Sequence, residues 1–211
     1  MAVSEVSITL RVRFDSAYHL RASAATVGLI DGHLLRRPGN TGGLVIPGST
    51  LKGRIRDQVE RVWRALGGCD VHDTQCPCAI CLMFGAPDNR PGRLRFYDAL
   101  PTAGTESTTS LRTRVAIDGE RRTARSHHLF TTEVGAAAEF QSQIRGHLPE
   151  ARAKGCMALL AVGIRLVRTI GAGKSQGLGW VYLELDPVVV AGQRMGPWEL
   201  REAWEGGVVS A

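Results

Sequence analysis

Val6, Ile8, Leu10, Val12 and Phe14 alternate with Ser7, Thr9, Arg11 and Arg13, and a period of two marks a strand with one buried face. The pattern then dissolves into glycine, proline and arginine over residues 18–48. Roughly thirty residues without periodicity is too long for an ordinary connection, and loops of that length usually serve a function. Leu51, Ile55, Val59, Val62, Trp63 and Leu66 return at helical spacing. Ser49 or Thr50 is placed to cap this helix and Gly67-Gly68 to end it.

Residues 92–97 (GRLRFY) predict a short strand leading into Asp98. Residues 101–135 carry Thr, Ser, Arg and two adjacent histidines with little apolar periodicity, as expected of an extended hairpin or a mobile arm. Residues 138–144 predict another strand. Pro149 opens a helix that places Ala153, Met157, Leu160, Ala161, Ile164 and Val167 on one side. After a glycine-rich run, Val181, Leu183 and Leu185 share the face of a last strand. The resulting order, β-α-β-β-α-β, is the ferredoxin-like arrangement of the α+β class, also the scaffold of RNA-recognition (RRM-like) modules. The scaffold hosts many activities, so function has to be read from the sites grafted on it. The chain reads as one domain over residues 1–211, with a cysteine-rich insertion at 67–90 and the hairpin at 101–135.

Composition changes this picture mainly through charge. Lys and Arg number 26 against 20 acidic residues, a formal +6, and all but Lys52, Lys154 and Lys174 are arginine. The balance favours an anionic partner, although a GC-rich genome would also inflate arginine. The N-terminal segment lacks an apolar signal core and no run of eighteen apolar residues occurs, so a soluble, cytoplasmic protein without membrane association is expected.

Four of the five cysteines fall between Cys69 and Cys81, and in a cytosolic chain such clustering points to metal before disulfides. In CDVHDTQCPCAIC the pairs Cys69/His72 and Cys78/Cys81 have the spacing of structural zinc sites. Cys76 is the fifth candidate, able to replace Cys69 or His72. Four of these five would close a tetrahedron around Zn2+ and leave no open position for catalysis. Cys156, alone in an apolar helix, reads as a core residue.

Two further segments suit sugar-phosphate chains. The run GAGKSQGLG (residues 171–179) supplies glycines for a backbone with φ > 0 and exposed N–H groups, with Gly171, Gly173, Lys174, Ser175 and Gly177 as candidate contacts. A nucleotide P-loop would need a glycine where Arg168 stands, and a helix after the loop where a strand is predicted. The segment IPGSTLKGRIR places Ser49, Thr50, Lys52, Arg54 and Arg56 at a helix N-terminus, a ready anion site. Asp31 lies in the long loop as GLIDGHLLRR. Spacing alone makes it a turn residue, and His33 beside it reads as solvent-facing.

Taken in order, the loop with Asp31, IPGSTLKGRIR, CAICLMFG, GRLRFYDA and GAGKSQGLGW resemble the RAMP superfamily of CRISPR proteins. More narrowly, they resemble the repeating backbone subunit of type III Csm and Cmr effector complexes, over residues 6–185. The resemblance implies a ferredoxin-like core with an insertion and a protruding β-hairpin thumb near residues 111–132. It also implies subunits stacked as a filament along guide RNA, with other copies of the chain and other type III effector subunits as partners. Backbone subunits of that family carry a loop aspartate that supports metal-dependent cutting of complementary target RNA at regular intervals. Asp31, upstream of IPGSTLKG, matches it, with a divalent cation such as Mg2+ as helper. The other readings are a non-catalytic filament subunit, and a stand-alone guide-RNA-processing endoribonuclease that would draw on His127 and His128. A zinc scaffold without an RNA role is the remaining one.

Overall fold

The computed structural model describes residues 2–22, 30–37, 43–69, 76–86, 90–103 and 108–206. Its main sheet is built from β1 (Val3–Phe14), β2 (Leu94–Phe96), β6 (Glu139–Pro149) and β7 (Val181–Val190), in the order β2-β6-β1-β7, with neighbours antiparallel. Two short strands extend it: β3 (Leu100–Pro101) pairs with β6, and β8 (Gln193–Met195) pairs with β7. The alternation on β1 buries Val6, Ile8, Leu10, Val12 and Phe14 and turns Glu5, Arg11 and Arg13 outward.

The buried face is covered by α1 (Gly48–Ala65) and α3 (Glu150–Leu166). Leu51, Ile55, Val59 and Trp63 form the inward stripe of α1. Gly163 lets the two helices approach closely, since a Cβ there would stand 2.2 Å from the Val59 Cγ2 atom. Buried apolar area is the main favourable term in folding, and these residues with Ile144, Leu148, Phe140 and Met157 make up one continuous core.

Four elements have no counterpart in the sequence reading: α2 (Ala79–Phe84), β3, β8 and α4 (Pro197–Glu205). The expected side-chain cap of α1 is also corrected. The N-cap is Pro47, without a side-chain cap bond, and the Gly48 N–H donates instead to Asp98 Oδ1 at 2.7 Å. Gly48 is obligatory there for steric reasons, because a Cβ would meet the Phe96 carbonyl oxygen at 2.1 Å.

Residues 101–135 contain an antiparallel ribbon of β4 (Thr109–Ile117) and β5 (Ala124–Gly135), separate from the main sheet. Leu111, Val115, Ile117, Leu129 and Phe130 are exposed along it. Its root is anchored by Tyr18, fully buried and stacked on Phe14 with ring centroids 4.2 Å apart. The Tyr18 and Gly135 main chains exchange both N–H···O bonds, and a Cβ on Gly135 would collide with the Tyr18 ring. Burial pushes the Tyr18 phenol up to about 12, against the opposing effect of Arg36.

Candidate nucleic-acid interface and metal centre

The long loop carrying Asp31 is stitched to its surroundings by single bridges: Arg21 with Leu34, Gly32 with Thr132, Arg36 with Leu44, and Ile46 with Ala99. Asp31 is tied to the ribbon twice. Its N–H donates to the Thr131 carbonyl at 2.8 Å, and its Oδ2 accepts the Thr131 N–H at 2.7 Å. One carboxylate oxygen is thus fixed by backbone.

Glu133, two residues along β5, is the buried hub of this loop. Its carboxylate accepts the Leu34 N–H at 3.1 Å and the Arg36 guanidinium. Burial works to raise the Glu133 carboxyl, but the Leu34 N–H and the Arg36 charge together outweigh it and hold it below the ordinary glutamate range. His33 does not turn freely to solvent as expected. It is half-buried, with Nδ1 3.8 Å from Glu133 Oε2, and so leans towards Glu133.

A histidine that sequence reasoning passed over lines the same cavity as the aspartate. His19 is 5% exposed, and its Nδ1 lies 2.7 Å from the Glu133 carbonyl oxygen. A carbonyl only accepts, so Nδ1 carries the proton and a neutral ring keeps its Nε2 lone pair. That Nε2 is the side-chain atom closest to where a Cβ on Gly32 would sit, at 3.1 Å. The only signal in the sequence was a polar residue in the apolar stretch Tyr18–Leu20, which by itself names no role.

The glycine run takes the path its composition anticipates. Gly171, Gly173, Gly177 and Gly179 all have positive φ, and Lys174–Gln176 form a 3-10 turn between them. At Gly171 a Cβ would press on the His19 carbonyl at 2.6 Å, and at Gly179 on that of Ile170 at 2.1 Å, so both positions need glycine twice over. The Ala172 N–H donates to the His19 carbonyl at 2.9 Å. Arg114 on β4 donates to the Gln176 side chain. The result is a cavity of about 360 Å³ whose wall includes His19, Asp31, Arg114, Phe130, Ala172 and Gly173. Asp31, the glycine loop and the ribbon root, far apart in sequence, meet there.

The basic start of α1 adjoins the same loop. Burial lowers the Lys174 amine, and the nearby Arg54 charge lowers it further against Asp57. Arg54 is committed to Thr169, donating to its carbonyl at 3.1 Å and its hydroxyl at 3.3 Å, and Arg56 pairs with Glu60 at 2.6 Å. Ser49 is exposed and Thr50 and Lys52 are half-buried. Of these cations, Lys52 and Lys174 show no carboxylate partner among the described residues, whereas Arg54 and Arg56 hold the frame. His127 and His128 lie exposed on β5, and His128 bonds the Ser126 carbonyl.

In the cysteine segment, Sγ atoms of Cys69, Cys76 and Cys78 lie within 4.8 Å of one another, with Cys69 and Cys76 at 3.5 Å. Tetrahedral zinc–thiolate geometry puts sulfurs about 3.7 Å apart, so the donor set fits a zinc ion. Cys76, the fifth candidate on spacing, therefore belongs to the cluster. Cys78 caps α2, its Sγ accepting the Cys81 N–H at 3.4 Å, and Cys81 interacts with Cys76 and Cys78. His72 lies outside the described residues. Burial pushes the Cys69 and Cys78 thiols up to about 11 and raises Cys81 as well. A metal would take the place of those protons. Among the described residues this is the one group of three or more metal-ligating side chains, and Asp31 belongs to none.

No helix among the described residues is long and apolar enough to cross a membrane. The model of the RAMP superfamily matches residues 31–182, a span that begins at Asp31 and ends on β7. No curated protein matches the chain.

Proposed function

The chain belongs to the RAMP superfamily of CRISPR-associated RNA-binding proteins, and we propose that it is a backbone subunit of a type III effector that binds guide RNA and cuts complementary target RNA. The observation that carries this reading is the single cavity shared by Asp31, the glycine loop and the ribbon root. The strand order β2-β6-β1-β7, with both crossover helices on one face, supports a ferredoxin-like core, and the β4-β5 ribbon is the thumb of this reading. Copies of the chain would stack along the guide, and other effector subunits would complete the particle.

Cleavage in this reading is attack of a ribose 2′-oxygen on the adjacent phosphorus. The 2′-O–P bond forms, the P–5′-O bond breaks, the 2′-hydroxyl loses its proton and the 5′-oxygen gains one. Asp31 keeps one oxygen on the Thr131 N–H and offers the other to the reacting strand, to accept the proton or to hold a divalent cation. A lone carboxylate suits Mg2+ only together with RNA phosphate oxygens, so the cation site would be completed by substrate. Its chemistry would be neutralisation of developing phosphate charge. Glycine-loop N–H groups with Lys174 and Lys52 hold the sugar-phosphate chain. Zinc on the cysteine cluster is structural.

The test is an assembled guide-loaded particle given labelled complementary RNA. Asp31→Ala is expected to slow cutting by about a hundred-fold or more, the usual scale for a proton-transfer group, while target binding persists. Unchanged cutting would remove the catalytic role. The double tie to Thr131 is also what a structural aspartate makes, and on that second reading the subunit binds RNA without cutting it.

A further inference from the structure

The face of the main sheet opposite α1 and α3 carries a feature that the cavity does not use. Trp180 and Tyr182 alternate with the buried Val181 and Leu183, so both rings point to that open face, where they are 50% and 45% exposed. Their Cα atoms are two residues, about 6.7 Å, apart along the extended chain at the start of β7. Arg13, opposite Tyr182 in the register of β1 and β7, places its guanidinium 5.5 Å from the Tyr182 ring centroid, and Arg168 lies at 5.7 Å. Arg13 is held by Asp15 at 3.5 Å and Glu184 at 3.8 Å. Arg168 has no carboxylate partner among the described residues, nor has Arg11 on the same face.

We propose that Trp180 and Tyr182, with Arg13 and Arg168, form a platform on which bases of single-stranded RNA stack. The inference rests on the RNA-binding reading above and adds a second contact surface to it. Two rings spaced two residues apart on a strand seat successive unstacked bases, one per ring, and stacking tolerates any sequence because every base has a π face. The guanidinium planes continue the stack, and the free charge of Arg168 and Arg11 meets phosphate. Placement supports RNA over a protein partner. Trp180 directly follows the glycine loop, its N–H donating to the Ser16 hydroxyl at 2.9 Å and its carbonyl accepting the Asp15 N–H at 3.1 Å. A strand leaving the loop therefore meets these rings next. Asp15 and Glu184 keep phosphates off the immediate surroundings of Arg13 and leave its plane for a base.

The experiment uses the full chain with fluorescent oligouridylate and an abasic oligomer of equal length. The double variant Trp180→Leu/Tyr182→Leu keeps strand-compatible apolar side chains on an exposed face. It is expected to bind oligouridylate about ten-fold or more weaker, in line with the loss of base stacking, and the abasic oligomer like wild type, with an unchanged salt slope. Irradiated 5-bromouridine RNA is expected to cross-link wild type at Trp180 or Tyr182, a readout that needs no variant. Equal binding of oligouridylate by both proteins, an equal loss on both oligomers, or cross-links only elsewhere would overturn the platform and leave the RNA-binding reading standing. Loss of self-association with RNA affinity intact would reassign the face to a protein contact. Absence of RNA binding by wild type would overturn both.

Discussion

The loop that carries Asp31 and the segment that carries the cysteines are both irregular, yet different forces hold them. The described residues of the loop are held by protein: Asp31 and Gly32 bond the ribbon, and Glu133 gathers Leu34, Arg36 and the neighbouring His33. The cysteine segment gathers sulfurs that protein alone serves poorly, since buried thiols make weak hydrogen bonds. Hydrogen bonds orient a group for work on an outside molecule, whereas clustered thiols draw in an ion that then acts as a cross-link. On the proposed reading, one region is arranged to act and the other to stay folded.

The sharpest way to break this contrast is to deny the cysteine cluster the ion it is proposed to hold. Cys78→Ser, or a strong chelator on the wild type, is expected to lower the melting temperature by about 10 °C, since each kcal/mol lost shifts a chain of this size by about 2–4 °C. Metal analysis should find about one zinc per wild-type chain and none in the variant. An unaltered melt with no zinc in the wild type would make the cluster a set of buried thiols.

Acid separates the two regions next. The folded-state carboxyl of Glu133 is lowered, so its stabilising contribution is complete above the ordinary glutamate range and is lost as pH falls through the lowered value. Glu133→Gln should therefore melt below wild type at pH 7, and the gap should close as pH falls below the ordinary glutamate range and through the lowered carboxyl of Glu133. A gap that stays constant with pH would show that packing and not charge sets the difference. The smallest effect is expected at Asp98→Ala, which frees the Gly48 N–H at the start of α1 and should cost about 1 kcal/mol in denaturant unfolding. Because the change removes one N–H contact and no cation, salt-dependent RNA binding should change little.

The strands and helices of the core were legible because a buried face enforces periodicity, as Val6 to Phe14 and Leu51 to Trp63 show. Elements that escaped notice are short or carry mixed patterns: α2 is six residues long and β8 three. The glycine run declared its positive φ values by composition. Spacing put Cys76 last of the five, behind the pairs Cys69/His72 and Cys78/Cys81, yet its sulfur joins the cluster, since loop geometry decides which sulfurs meet. The cap of α1 was illegible because its acceptor, Asp98, comes from a residue fifty positions away. His19 was illegible for the same reason, as the carbonyl that orients its ring lies on β5. Long-range pairing leaves no local trace.

The double tie between Asp31 and Thr131 has a mechanical consequence. Both bonds run to the main chain of one residue near the fixed end of the ribbon, where Tyr18 and Gly135 clamp it. Any displacement of the ribbon at Thr131 would therefore be handed to the acidic oxygens of Asp31 through two bonds.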